Sequence, residues 1–212
     1  LDAPCTFAHH PMLRLSRGGR IAVGAAARIH TFDVAEEPGH DFYLRGQAAT
    51  GDMLETRNGP HPWRDYPATA CEDFLAVVGG ATGLGWTAVQ RRGEGDTILF
   101  LKRAEQLPLT CLWISNGGRD HRPWDGEHRG VLGVEDAVCA GADGFAAALS
   151  GRTRLSGSGV RLCLPRGRHV IPHAIVRIPG CLEVTEVTCG ETLRLETDDG
   201  PRHVPFEKGH FR

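Results

Sequence analysis

Short runs of alternating apolar and polar residues recur along the chain, separated by Gly, Pro, Asn and Asp. The pattern predicts strands at 20–25 (RIAVGA), 85–91 (GWTAVQR), 96–102 (DTILFLK), 109–115 (LTCLWIS) and 160–165 (VRLCLP). Further strands are expected at 173–178 (HAIVRI), 182–189 (LEVTEVTC) and 192–197 (TLRLET), with TDDGPRH as a turn. In 131–138 (VLGVEDAV) alternation puts Val131, Gly133 and Glu135 on one face, and Leu132, Val134 and Asp136 on the other. Helical signals are few. CEDFLAVVGG (71–80) reads as a short helix with acidic residues in its first turn and Gly at its end, and DGFAAALSG (143–151) as another. The fold class is therefore mainly β, a sandwich or barrel in a single domain over 1–212. No repeat or linker divides the chain.

Two segments lack periodicity, 39–73 and 115–130. Loops of this length are uncommon unless they carry function. Both hold a Trp (Trp63, Trp124), histidines (His61, His121, His128) and carboxylates. Aromatic faces beside hydrogen-bonding groups suit a sugar, whose C–H face stacks while its hydroxyls are read by polar side chains. The plain alternative is solvated surface.

Composition narrows the classes. The chain has 212 residues and a formal net charge of −2, which leaves no basic field for nucleic acid or a membrane surface. Apolar runs such as AVVGGA are too short to span a bilayer, and no stretch resembles a signal peptide. The first residue is Leu1, as expected of a processed chain or a fragment. Seven cysteines with no CxxC pair read as scattered free thiols of a reducing cytoplasm. GxSxG, P-loop and GxGxxG patterns are absent. Eleven histidines keep a cupin-like metal barrel as an alternative, although none has clear ligand spacing on one element.

Two stretches carry the candidate chemistry. In FAHHPMLRL (7–15) neighbouring strand residues point to opposite faces, so only one of His9 and His10 can face a cleft. A histidine there can lend or take a proton, or simply be a structural hydrogen-bonding group. Glu135 lies in an apolar frame, where partial desolvation makes a carboxylate a better base near neutrality; a solvated or ion-paired carboxylate is the alternative.

FAHHPMLRL and GVLGVEDAV resemble the histidine- and glutamate-bearing strands of the galactose mutarotase (aldose 1-epimerase) superfamily. WRDYP is similar to the stretch holding that family's sugar-binding aspartate, and LWISNGG resembles a tryptophan-asparagine strand of its hexose-phosphate branch. The order and spacing of these short motifs carry the resemblance across most of the chain. It departs from the pattern in having His9 before His10, no aromatic after it, and none of the long N-terminal portion that supplies a substrate-binding arginine. The resemblance implies a mutarotase-like β-sandwich (supersandwich), truncated at its N-terminus, that interconverts sugar anomers without metal or organic cofactor. His10 is the implied acid, Glu135 the base and Asp65 a holder of a sugar hydroxyl, with Trp113 and Asn116 lining the site. His9, Arg119 and Trp124 are added from loop chemistry alone. The expected partner is a sugar or sugar phosphate, and the alternative is a non-catalytic carbohydrate-binding relative.

Overall fold

The computed structural model describes residues 3–25, 28–80, 82–155 and 157–211. In chain order the strands are β1 (Ala3–Cys5), β2 (Phe7–Ala8), β3 (Met12–Arg14), β4 (Gly19–Val23), β5 (Arg28–Thr31), β6 (Ala48–Ala49), β7 (Met53–Thr56), β8 (Gly59–Pro62) and β9 (Glu72–Val78). They continue with β10 (Leu84–Arg91), β11 (Asp96–Arg103), β12 (Leu109–Ser115), β13 (Val131–Val138), β14 (Leu162–Leu164), β15 (His173–Pro179), β16 (Val184–Cys189), β17 (Thr192–Thr197) and β18 (Arg202–Pro205). One α-helix, α1 (Gly144–Ser150), follows β13. All the pairings between these strands are antiparallel, and the sheets do not close into a barrel, so the cupin-like expectation is not met.

Two large sheets pack face to face. One has the order β2-β13-β12-β9-β5-β6, with β3 also paired to β13; the other is β15-β11-β10-β4. Between them lie Leu75 and Val77 of β9, Leu112 and Ile114 of β12, and Leu132 and Val134 of β13, against Ile21, Val89, Ile98 and Phe100. Truncating one such leucine to alanine costs about 2–5 kcal/mol in a close-packed core. The second face of the four-stranded sheet (Trp86, Ala88, Leu99, Leu101) is covered by the β16-β17-β18 sheet through Val184, Val187, Leu193 and Leu195. Both large sheets therefore alternate between two apolar environments over much of their width.

Residues 71–80 are not a helix. Glu72–Val78 is the central strand β9, paired with β12 on one side and β5 on the other. Its continuous apolar run suits a strand buried on both faces: Leu75 and Val77 enter the inter-sheet core, while Phe74, Ala76 and Val78 join Phe32, Leu109, Cys111, Ala137 and Leu155 on the other face. Periodicity alone does not separate such a strand from a buried helix. DGFAAALSG does form a helix, α1, closed by Gly151 in the left-handed conformation (φ 68°). The segment 39–73 is not wholly irregular either, since Arg57-Asn58 turns the β7-β8 hairpin, and Gly59, which opens β8 opposite Thr56, stands at φ 103°.

The outer face of the seven-stranded sheet is divided. Toward one end it is covered by the chain after β13, which brings in Leu155 and Val160. Toward the other it presents Trp113, Ser115, Glu72, Gly133 and Glu135, and there the loop 116–130 folds over it.

Candidate functional site

The site is built on one strand pairing. Ala8 lies opposite Ala137 and Met12 opposite Gly133. Counting inward from both ends gives the same register, so His10 stands opposite Glu135 and His9 opposite Asp136. The His9 N–H donates to the Asp136 carbonyl (3.1 Å) and the Val134 N–H to the Pro11 carbonyl (3.1 Å). Pro11 has no N–H to return, which explains the break between β2 and β3. His10 and Glu135 thus occupy a non-hydrogen-bonded pair, where facing side chains come closest.

His10 Nδ1 lies 2.7 Å from Glu135 Oε1. The ring nevertheless approaches off the N–H direction, leaving Oε1 a buried oxygen without an aligned donor. The His10 side chain is 49% exposed and that of Glu135 12%, so the histidine is reachable from solvent while the carboxylate forms the floor. Burial pushes the Glu135 carboxyl above its ordinary range; the neighbouring His10 pulls it down without cancelling that effect. Gly133 keeps the floor open. A Cβ there would stand 3.1 Å from Met12 Sδ, 3.1 Å from Trp113 Cβ and 3.2 Å from Glu135 Oε1.

Trp113, opposite Gly133, stacks against His10 with ring centroids 5.5 Å apart. Its Nε1–H donates to Glu72 Oε1 (2.8 Å), and Ser115 Oγ donates to Glu72 Oε2 (2.9 Å). Arg119 Nε lies 3.4 Å from Glu72 Oε1, and the guanidinium lies over the rings of both Trp113 (4.8 Å) and Trp124 (5.1 Å). Trp124 is partly exposed, and His128 bonds Ser115 Oγ through Nδ1 (2.7 Å). Glu36 completes the acidic side, its carboxyl pushed up chiefly by burial. The loop 33–45 meets the loop 116–130 through His121–Glu37 (3.2 Å) and His40–Asp120 (3.6 Å).

Of the residues expected from sequence, His10, Glu135, Trp113, Arg119 and Trp124 are brought together. His9 is not among them. It points into the sandwich, stacked on His173 (4.0 Å) beside Asp136, and burial followed by the neighbouring His173 lowers its pKa. Asp65 is not at the site either. It pairs with Arg20 (3.1 Å) and Arg92 (3.7 Å) at the four-stranded sheet, where Arg20 also meets Glu183 (3.5 Å). Asn116 is a brace: its amide donates to the Pro67 and Thr69 carbonyls (3.1 and 2.9 Å), and its oxygen accepts from the Gly130 N–H (3.1 Å). Each of its side-chain polar atoms is hydrogen-bonded to backbone.

Glu72, Glu36 and Ser115 belong to the site although the sequence pattern does not single them out, and His128, one of the loop histidines, joins them. Glu72 was hidden by the helical reading of 71–80; on a strand it alternates with Asp73 and shares a face with Phe74. On the same face, Cys111 lies opposite Glu135 and its thiol donates to Cys139, which lowers the Cys139 pKa to about 7. All seven cysteines are free, as their spacing suggested. Among the described residues, no group of three or more His, Cys, Asp or Glu side chains comes together in a way that could hold a metal ion.

No protein-family model matches the chain, and neither a curated protein nor a solved structure is significantly similar to it.

Proposed function

We propose that this chain is an aldose 1-epimerase-like isomerase with a galactose mutarotase-like sandwich, acting on a hexose or related sugar. The observation that carries the reading is the facing pair His10 and Glu135, one reachable and one buried, set at 2.7 Å beside the indole of Trp113. A sugar entering this floor offers its anomeric hydroxyl to the unaligned Oε1 of Glu135 and its ring oxygen to His10.

Glu135 takes the proton from the anomeric hydroxyl as protonated His10 gives one to the ring oxygen. The bond between C1 and the ring oxygen breaks, leaving an open-chain aldehyde, a protonated Glu135 and a neutral His10. Rotation about C1–C2 turns the other carbonyl face toward the new hydroxyl. The reverse transfers then close the ring to the other anomer, and no proton is gained or lost. Two positioned proton-transfer groups contribute about 10²–10⁴-fold each, enough for a reaction that is slow in water without being difficult. The raised pKa of Glu135 brings it nearer the working pH. Trp124, partly exposed beside Arg119, offers the stacking face, and the acceptors of Glu36 and the donors of Arg119 suit sugar hydroxyls.

Anomer exchange measured by NMR on a panel of aldoses and hexose phosphates tests the reading. The folded chain is expected to accelerate exchange of at least one sugar, and Glu135→Gln to abolish it. Exchange at the uncatalysed rate throughout the panel defeats it. Saturable sugar binding without exchange selects the binding protein that the direct contact between acid and base also permits.

A further inference from the structure

A cavity of about 610 Å³ opens where the β3-β4 turn, the loop after β8, the β10-β11 turn and the β12-β13 loop meet. None of His10, Glu135, Trp113 and Glu72 lines it. Four arginines from three separate segments line it: Arg14 and Arg17, Arg92, and Arg129. Its wall is Leu15, Tyr66 and Pro67. The Tyr66 hydroxyl donates to the Ser115 and Val131 carbonyls, which fixes that wall.

The cations are weakly countered. Glu94 Oε1 stands 3.8 Å from Arg14 Nε and Asp65 Oδ1 3.7 Å from Arg92, both long for direct pairs, and Asp65 is also held by Arg20 at 3.1 Å. Among the described residues, neither Arg17 nor Arg129 has an ion-pair partner; Arg129 Nε donates to the Gly126 carbonyl (2.5 Å). Four arginines lining one cavity, in a chain whose net charge is −2, repel one another unless an anion joins them. Planar guanidiniums favour tetrahedral oxyanions, which accept two parallel N–H bonds from each. The volume lies within the range of small-molecule pockets.

We propose that this cavity is a binding site for a small molecule carrying a phosphate or diphosphate group, separate from the His10–Glu135 cleft. It does not rest on the isomerase reading. Val131, at the cavity end of β13, is about 13 Å along the strand from Glu135, so occupancy here leaves the floor of the cleft open.

Isothermal titration of the full chain with pyrophosphate, at ionic strength held constant with sodium chloride, tests the site. One saturable event is expected, weakened at least about tenfold in Arg14→Glu/Arg17→Glu, with the ligand-free unfolding midpoint unchanged because both side chains are exposed. Should that double variant fail to fold, Arg17→Gln alone is expected to weaken binding in the same direction. A featureless titration, or equal binding by wild type and variant, overturns the proposal. Sedimentation with phosphatidylserine-containing phosphatidylcholine vesicles separates the sources: binding to vesicles without saturable pyrophosphate binding overturns it too.

Discussion

Lys102 of β11 and Asp136 of β13 pair at 2.8 Å across the gap between the two large sheets, with Asp136 1% exposed and Lys102 4%. Lys102 also donates to Thr110 Oγ1 (2.7 Å), which donates to Asp136 Oδ1 (2.8 Å), and His173 Nε2 meets Asp136 Oδ2 at 2.9 Å. Glu135 and Asp136 thus send adjacent carboxylates to opposite faces of one sheet, one to an open floor and one to a satisfied interior network. Removing one member strands the others, so Asp136→Asn is expected to lower unfolding free energy by about 3–5 kcal/mol, read by urea denaturation. A loss under about 1 kcal/mol would show the network to be dispensable. Burial works against the charged form of Asp136, but Lys102, His173 and Thr110 outweigh it and hold the carboxyl below its ordinary range. That contribution is complete above the ordinary carboxylate pKa and is lost as pH falls through the lower folded value.

Glu135 titrates in the opposite sense. With its folded pKa raised, the folded state binds the proton more tightly, so stability is lost as pH rises from the ordinary carboxylate value through the folded one. At neutral pH Glu135→Gln is therefore expected to melt higher than wild type while the proposed anomer exchange falls to the uncatalysed rate. Thermal scans of both proteins from pH 3 to pH 8 check it, and the gap should close at the acid end. A variant that melts lower than wild type at neutral pH contradicts the desolvation argument.

His9 gives a second acid-side dependence. Its neutral form is favoured in the fold, so its contribution is complete above the ordinary histidine pKa and declines as pH falls through that value toward the depressed one. In His9→Phe the ring stays stacked on His173 without titrating. The stability of this variant should depend less on pH between about 5 and 7 than that of wild type. Parallel profiles would assign the dependence to other histidines.

Glu72 is fully buried and receives Trp113, Ser115 and Arg119. Glu72→Leu leaves three donors without their acceptor, which is expected to cost about 3 kcal/mol or more and to free Arg119 from the two indoles. Glu72→Gln keeps one acceptor oxygen and should cost less. Urea denaturation orders the two, and tryptophan fluorescence reports release of Arg119 from Trp113 and Trp124. Equal stability of both variants would mean that Arg119 has another anchor.

Alternation along 131–138 was enough to separate Glu135 from Asp136 and to pair Glu135 with Gly133 and Val131, because side-chain direction in a strand depends only on local backbone geometry. The same rule made His9 and His10 face opposite ways, leaving open which of them enters the cleft. Register settled that choice: it is made by hydrogen bonds between β2, β3 and β13, residues far apart in sequence, and a slip of one would have exchanged the two histidines. Asp65 and Glu72 illustrate the other limit. Both are carboxylates near the same loaded segment, but Asp65 is drawn to Arg20 on the four-stranded sheet, while Glu72 opens β9 at the centre of the other. Local pattern determined the strands and their faces. Only the tertiary structure decided which strands lie side by side, and so that His10 faces Glu135, since that choice depends on the burial of β9 on both faces and on partners that no local window contains.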